Sequence, residues 1–442
     1  MNNLIDSKQQ DSMAAWYAVF VLLLAYVLSF VDRIILSLLV TPIKEDLGTT
    51  DAQMGLLMGF AFAIFYTVAG IPIAKYSDVK SRKMIIAIGV FLWSIMTAVC
   101  GLARSFFQLF LARIGVGVGE AALTPAAYSM ISDYFTEEKL GRAMAVYKSG
   151  AMFGGGLAFI IGGAVIGYVV NADSIILPLL GEIKPWQMAF IIVGLPGVLI
   201  GLLMLTVKEP NRTGIADTLD RKVPISDAIK YMQKRWRIYL FIFLGFAFMA
   251  APISSALTWI PVYLQRIHEM SIPESGRTLG IIIFFLSTSG VLFSGWLIDA
   301  FKKRGYQDGY FKVALIICLV SIPIVYNVMN DQSLDKTLWW LHFFVFIASM
   351  PLAISATVLQ IVTPNQLRAQ VSAVYMLFLN LITALIVTTG IGFITDFWFK
   401  DEMALGQSIT TVNLLSMFLA FLCLYIAMSN FNKEFTKDQK VS

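Results

Sequence analysis

Charge is what this 442-residue chain has least of: Asp, Glu, Lys and Arg together make up 14% of it. A soluble domain carries roughly a quarter, so a water-facing globule is excluded. Histidine is nearly missing. His268 and His342 are the only two, so the side chain that ordinarily moves protons near neutral pH is scarce. The three cysteines, Cys100, Cys318 and Cys423, lie in apolar runs without ligand spacing or a disulfide framework. There is no Gly-x4-Gly-Lys-Ser/Thr stretch, which excludes an ATP-binding loop of that kind and makes any transport secondary. No His-rich or Cys-rich ligand spacing and no His-x4-Asp is present, so the chain does not read as an integral-membrane enzyme. No catalytic residue, metal or cofactor is expected. The polar start, residues 1–13, lacks a basic segment followed by a cleavage site, so the first apolar run reads as a retained span.

Apolar residues fill the space that charge leaves. They make up 58% of the chain, and the mean hydropathy is +0.76. A helix needs about 20 apolar residues to cross a bilayer. Twelve such windows are found, at 16–40, 52–76, 83–102, 105–132, 140–170, 186–207, 236–264, 277–299, 311–329, 338–362, 369–396 and 405–429. The expected fold is therefore all-α and polytopic, with twelve transmembrane helices in two six-helix bundles. Residues 1–207 form the first bundle, 208–235 a linker and 236–442 the second bundle. An excursion from Asn171 to Pro185 with an apolar centre reads as a lid or a surface helix.

The basic residues sort by side. Of the 33 Lys and Arg, 23 fall at the termini and in the loops after even-numbered spans, seven fall in the opposite loops, and Arg33, Arg113 and Lys148 fall inside spans. That bias places both termini in the cytoplasm. Because the basic residues are spread over loops, the net charge of +5 does not imply a nucleic-acid partner. The expected partners are the bilayer, protons and a small-molecule or lipid substrate, with the chain a monomer.

The charges inside spans are the chemical centre. Arg113-Ile-Gly-Val-Gly-Val-Gly119-Glu120 puts an arginine and a glutamate seven residues apart, nearly on one helix face and about 10 Å apart along the axis. Glycines between them let a neighbouring helix come close. Span 1 carries Asp32-Arg33 and span 5 carries Lys148. Depth counting places Asp32, Arg33 and Arg113 at one level, with Glu120 about 10 Å away near Lys148. The expectation is a carboxylate between guanidiniums and a Glu120–Lys148 contact. Charges at membrane depth are costly and usually functional. Ionised, the five groups sum to +1, and with both carboxylates protonated to +3, so an anion and protons can bind in a coupled way. His268 falls in an external loop and His342 near an outer helix end, which leaves Asp32 and Glu120 as the proton carriers. Arg33, Arg113, Lys148 and Tyr128 are substrate-binding candidates. Spans 7–12 have no ionisable residue at mid-depth and offer Ser254, Ser255, Thr258, Trp259, Gln360 and Asn380. A cavity charged on one wall and apolar-aromatic on the other suits an amphiphilic anion.

The halves repeat. Ala74-Lys-Tyr-Ser-Asp78-Val-Lys-Ser-Arg82-Lys83 follows span 2, and Gly295-Trp-Leu-Ile-Asp299-Ala-Phe-Lys302-Lys-Arg304 follows span 8. Arg142-Ala143 opens span 5 as Arg368-Ala369 opens span 11. Parallel halves of this kind are what alternating access needs. With this repeat and the span count, the whole chain resembles the major facilitator superfamily, whose loop motif reads roughly Gly-x-Leu-Ala-Asp-Arg-x-Gly-Arg-Lys. The second copy keeps Gly295, Leu297 and Asp299. The first keeps Asp78, Arg82 and Lys83 but has Ala74, Val79 and Ser81 where glycine, arginine and glycine are common. The resemblance implies a conformational latch made of Asp78, Arg82, Arg142, Asp299 and Arg368. Span 5 also holds Gly150-Ala-Met-Phe-Gly154-Gly-Gly156, which resembles the family's antiporter motif in glycine spacing and is read as helix packing.

Asp32-Arg33, Arg113 with the glycine run to Glu120-Ala121, and Pro185-Trp-Gln-Met-Ala-Phe190 together resemble the bacterial spinster-like group of that superfamily, best over residues 28–200. The resemblance implies movement of lysophospholipid-like or sphingoid lipids, with protonatable carboxylates matching Asp32 and Glu120 and a basic partner matching Arg113. Lys148 departs from that pattern. The anion:cation symporters are similar in the same residues and imply proton-driven uptake of sugar acids. A receptor of the same fold that binds ligand without flux is the third reading. Neutral second-half walls favour the lipid; polar ones favour the sugar acid.

Overall fold

The computed structural model describes residues 11–77, 79–170, 175–177, 181–212, 225–331 and 333–441. Among them are twelve helices long and apolar enough to cross a membrane. Spans 1–6 are Met13–Leu38, Asp51–Ser77, Arg82–Cys100, Phe106–Tyr134, Glu138–Val169 and Pro185–Thr206. Spans 7–12 are Trp236–Thr258, Ile272–Lys303, Gly309–Asn330, Leu334–Val362, Gln370–Phe399 and Glu402–Lys433. The protein is a multi-pass membrane protein. The excursion after span 5 is not a surface helix where it is described: Ile175–Leu177 (β1) pairs antiparallel with Gly181–Ile183 (β2). Two short stretches of alternating or β-branched residues around a positive-φ Gly181 favour a hairpin over a helix.

Helix ends follow local chemistry. Ser12, Ser81 and Ser105 cap spans 1, 3 and 4 by accepting from backbone N–H groups inside the first turn. Thr50 and Gln53 form a reciprocal capping box at the start of span 2. Span 4 breaks at Ala121–Ala122 and resumes at Leu123. Pro125 cannot donate to the Ala121 carbonyl, so the ladder fails one residue after Glu120. Span 11 contains two π-helical stretches, Thr383–Thr389 and Ile394–Phe399.

The chain forms two compact units: Met1–Asp220 with Glu269–Phe284, and Arg221–His268 with Phe285–Ser442. In the first, span 1 lies along span 5, span 3 along spans 4 and 6, and span 2 along span 4. The start of span 8, Ile272–Ile282, also lies along the glycine-rich face of span 5 in this unit. In the second, span 12 packs on spans 7 and 9, and span 10 on spans 8 and 9. Its core runs through Phe243, Phe246, Phe311, Ile354 and Leu424, all buried.

Candidate functional site

Two glycines set the site's helix spacing. A Cβ on Gly117 would lie 2.8 Å from the Phe62 carbonyl oxygen of span 2, and one on Gly119 would lie 2.7 Å from the Trp93 nitrogen of span 3. Only glycine lets span 4 approach both neighbours this closely. Glu120, next in sequence, is drawn into the middle of the unit and is 1% exposed.

Glu120 pairs with Arg33. The Arg33 Nε donates to Glu120 Oε2 at 2.7 Å, and Nη2 donates to the same oxygen. The expected Glu120–Lys148 contact is absent; Lys148 is exposed and stands 5.5 Å over the Tyr128 ring. The reason is side-chain direction. Cα–Cβ bonds tilt toward a helix's N-terminus, and spans 1 and 4 run in opposite directions, so Arg33 and Glu120 lean toward each other and close the gap in depth. The same rule separates Asp32 and Arg113. Their side chains lean apart, while the Asp32 carbonyl points along span 1 toward the arginine. Arg113 Nη1 donates to that carbonyl at 3.0 Å. Asp32 is completely buried, and neither of its carboxylate oxygens has a hydrogen-bond partner. Thus the expected carboxylate held between guanidiniums is instead two separate arrangements. Glu120 is ion-paired, and Asp32 is held by its backbone with its carboxylate unpaired.

Aromatic rings line the site. The Arg33 guanidinium lies 4.4 Å over Phe62, 5.4 Å over Tyr66 and 5.5 Å over Phe30. The Arg113 guanidinium lies 5.8 Å from the centre of the Phe62 ring. Tyr26 stacks on Tyr147 at 5.0 Å, and Tyr128 meets Tyr147 edge-on at 5.7 Å. Cation–π contact holds a guanidinium in place without neutralising it. Phe62 and Tyr66, spaced four apart on span 2, were not among the sequence candidates. The signal was an aromatic pair at helical spacing, which is common in any apolar span.

In the second unit, Trp259 is buried and its indole N–H donates to the Thr388 carbonyl at 2.8 Å. Ser255 and Asn413 bond to each other inside the unit. Thr258 donates to the Ser254 carbonyl at 2.7 Å. Asn380 is half-buried and Gln360 is exposed. The polar atom of Trp259 is thereby already used within the unit.

Of the latch residues, Asp78 lies outside the described residues. Arg142, Asp299 and Arg368 are exposed, and Arg368 Nε donates to the Thr363 carbonyl at 3.1 Å. Arg82 is 1% exposed and is the hub of a network that sequence reading missed. It donates to Asp133, to the Ser129 carbonyl at 3.1 Å, to the Pro210 carbonyl at 2.9 Å and, through its backbone N–H, to Glu209 Oε1 at 2.7 Å. Glu209 also accepts from Ser81. Partial burial opposes its charge, but these hydrogen bonds outweigh it and hold the carboxyl below its ordinary value. The chain after span 6 is thus strapped to the ends of spans 3 and 4. The Pro185-Trp-Gln stretch is likewise a fastening. Trp186 Nε1 donates to Asp46 at 2.8 Å, and Gln187 Nε2 donates to the Ala103 carbonyl at 2.9 Å.

A model of the Major Facilitator Superfamily matches residues 22–387. The chain belongs to that superfamily. It is similar to an MFS-type efflux pump of Mycolicibacterium smegmatis, 28% identical over 96% of this chain and 95% of the other. It is similar to the D-galactonate transporter of Escherichia coli O6:H1, 28% identical over 72% and 75% of the two chains. Among solved structures it matches a bacterial homologue of the human lysosomal transporter spinster. That match has a TM-score of 0.78 and 27% identity, and it covers 95% of this chain and 97% of the other. The fold and the spinster-like resemblance expected from the sequence therefore hold, and the protein is a transporter of the superfamily.

Proposed function

We propose that this transporter moves an amphiphilic, anionic, lipid-like substrate, a lysophospholipid or a close relative, by proton-coupled alternating access of its two six-helix bundles. Asp32 and Glu120 carry the protons. The observation that carries this reading is the contrast between the two carboxylates. One is fully buried with no hydrogen-bond partner, and the other is tied to Arg33. A carboxyl in the first setting is stable when protonated, and one in the second is stable when charged, until an anion competes for the arginine. Substrate arrival at Arg33 would then free Glu120 to take a proton. Arg113 positions Asp32 through its carbonyl. Lys148 and Tyr128 supply a second, exposed cation and ring for the headgroup.

The lipid reading is favoured by the second unit, where Trp259, Ser255 and Asn413 spend their polar atoms on each other or on backbone. A sugar acid would find few hydroxyl partners there. Proton-driven symport of sugar acids is the second reading, supported by the Tyr66 ring 5.4 Å from the Arg33 guanidinium and by the similarity to the D-galactonate transporter. In either case both termini would face the cytoplasm of a bacterial inner membrane, and Asp78, Arg82, Arg142, Asp299 and Arg368 would stabilise one end state.

The test is flux in proteoliposomes under an imposed pH gradient, with a fluorescent lysophospholipid and radiolabelled galactonate in parallel, comparing wild type with Glu120→Gln. Lysolipid movement that the variant loses is the expected result. Galactonate movement would transfer the same residues to the second reading. Gradient-driven flux that survives in Glu120→Gln would overturn the proton assignment, and ligand binding without flux of either kind would point to a receptor.

A further inference from the structure

The helix Ile225–Lys234 enters span 7 through a single turn at Arg235. Its sequence is strongly two-faced. Ala228 is fully buried, and Tyr231 and Met232 pack against the core of the second unit. Tyr231 meets Tyr239 edge-on at 6.0 Å. This face is therefore already covered by the protein. The other face is not: Ile229, Lys230, Gln233, Lys234, Trp236 and Arg237 are all exposed, with Trp236 at 52% and Ile229 at 41%. Between Ser226 and Arg237 there are four basic residues, Lys230, Lys234, Arg235 and Arg237, against one acidic residue, Asp227.

Two details distinguish this face from an ordinary solvated one. A large indole and an isoleucine stand exposed among the cations, which bulk water disfavours. The cations are also aligned with rings: the Arg237 guanidinium lies 5.5 Å over Trp236 and that of Arg235 lies 5.2 Å over Tyr231. Trp236 is the first residue of span 7, so this face sits where the span enters the bilayer. At that level tryptophan and arginine are at home, the ring among glycerol groups and the cation among phosphates.

We propose that the helix Ile225–Lys234 and the first turn of span 7 form a docking surface for anionic phospholipid headgroups of the adjacent leaflet. Lys230, Lys234 and Arg237 engage the headgroup charge, while Ile229 and Trp236 sit at the glycerol level. The charge of the surface selects an anionic over a zwitterionic lipid. This role is separate from substrate transport, because none of these residues belongs to the Arg33–Glu120 site.

The test uses the full-length protein, released from nanodiscs or detergent into native mass spectrometry, with phosphatidylglycerol and phosphatidylcholine titrated separately. Wild type should retain phosphatidylglycerol in preference to phosphatidylcholine, and salt should weaken the preference. The variant Lys230→Gln/Lys234→Gln/Arg237→Gln should lose phosphatidylglycerol affinity by about fivefold for each charge removed. Lys230→Arg/Lys234→Arg/Arg237→Lys, which keeps the charge, should hold wild-type affinity. That pair of variants separates lost electrostatics from a damaged fold, and taking the difference from wild type removes other lipid sites. Equal retention of both lipids by wild type would overturn the proposal. So would unchanged phosphatidylglycerol affinity in the neutral variant. If free glycerol 3-phosphate competes as well as the lipid, the surface takes a soluble anion and the lipid assignment is wrong.

Discussion

The two units bury polar atoms in different ways. The first holds ionisable groups: Asp32, Arg113 and Glu120 are each at most 1% exposed. The second holds neutral pairs, Ser255 with Asn413 and Trp259 with Thr388. A neutral pair can be satisfied by one neighbour, and its strength is modest. A buried charge needs a partner for each protonation state, and changing that state changes which partner fits. The comparison teaches that the repeat in the chain is one of scaffold, not of chemistry. The first unit buries ionisable groups, and the second, at the matching positions, buries neutral ones.

The sharpest way to break the comparison is to remove one side of the buried ion pair. Arg33→Ala takes the partner from a buried Glu120, which must then hold its charge unpartnered or take up a proton, and should cost up to about 3–5 kcal/mol of stability, read as a fall in thermal unfolding temperature in detergent. Adding Glu120→Gln to that variant should restore much of the loss, because the uncompensated charge is gone. If the single variant is as stable as wild type, the pair is not what holds these helices. The matched change in the second unit, Asn413→Ala, leaves the Ser255 hydroxyl without its side-chain partner and should cost about 1–3 kcal/mol. A loss as large as that of Arg33→Ala would erase the distinction between the units.

A third measurement moves from the centre of the first unit to its edge. Glu209 has a folded-state value below its ordinary 4.5. Its contribution is therefore fully present above that pH and is lost as pH falls through the lower folded value. Unfolding temperature against pH should show wild type and Glu209→Gln converging below pH 4.5, and separated above it. Parallel curves would mean that the strap on Arg82 carries no charge-dependent stability. The smallest effect on stability is expected from Lys148→Ala. Lys148 is exposed and stands 5.5 Å over a ring, so unfolding should move by less than about 0.5 kcal/mol. Substrate affinity should fall, as seen by binding titration. A stability loss without an affinity loss would make Lys148 a packing residue.

Most of the architecture was legible in the sequence. Twelve apolar runs place twelve helices because the bilayer accepts little else, and the spans agree with expectation to within a few residues at most ends. The exceptions have local causes. Span 8 begins at Ile272 because Ser271 caps it and Pro273 fits the first turn. Asp32, Arg33, Arg113 and Glu120 were also legible as a group, since charge inside a span is rare. Their pairing was not. Counting residues along an axis puts Glu120 nearer Lys148, and only the lean of side chains on antiparallel helices brings it to Arg33. Phe62 and Tyr66 were invisible for the opposite reason: aromatic residues are common in apolar spans, and nothing in their spacing marks two that face a guanidinium.

By itself, then, the sequence determined the membrane-spanning class, the span count and the short list of charges inside spans, because hydropathy and charge act locally along the chain. The tertiary structure alone decided which charge meets which. It put the Arg82 hub against Asp133 and Glu209, used the Trp259 indole internally and left the Asp32 carboxylate unpaired. Those outcomes depend on helix direction, glycine-permitted approach and side-chain tilt, which relate residues tens of positions apart and leave no periodic trace in the chain.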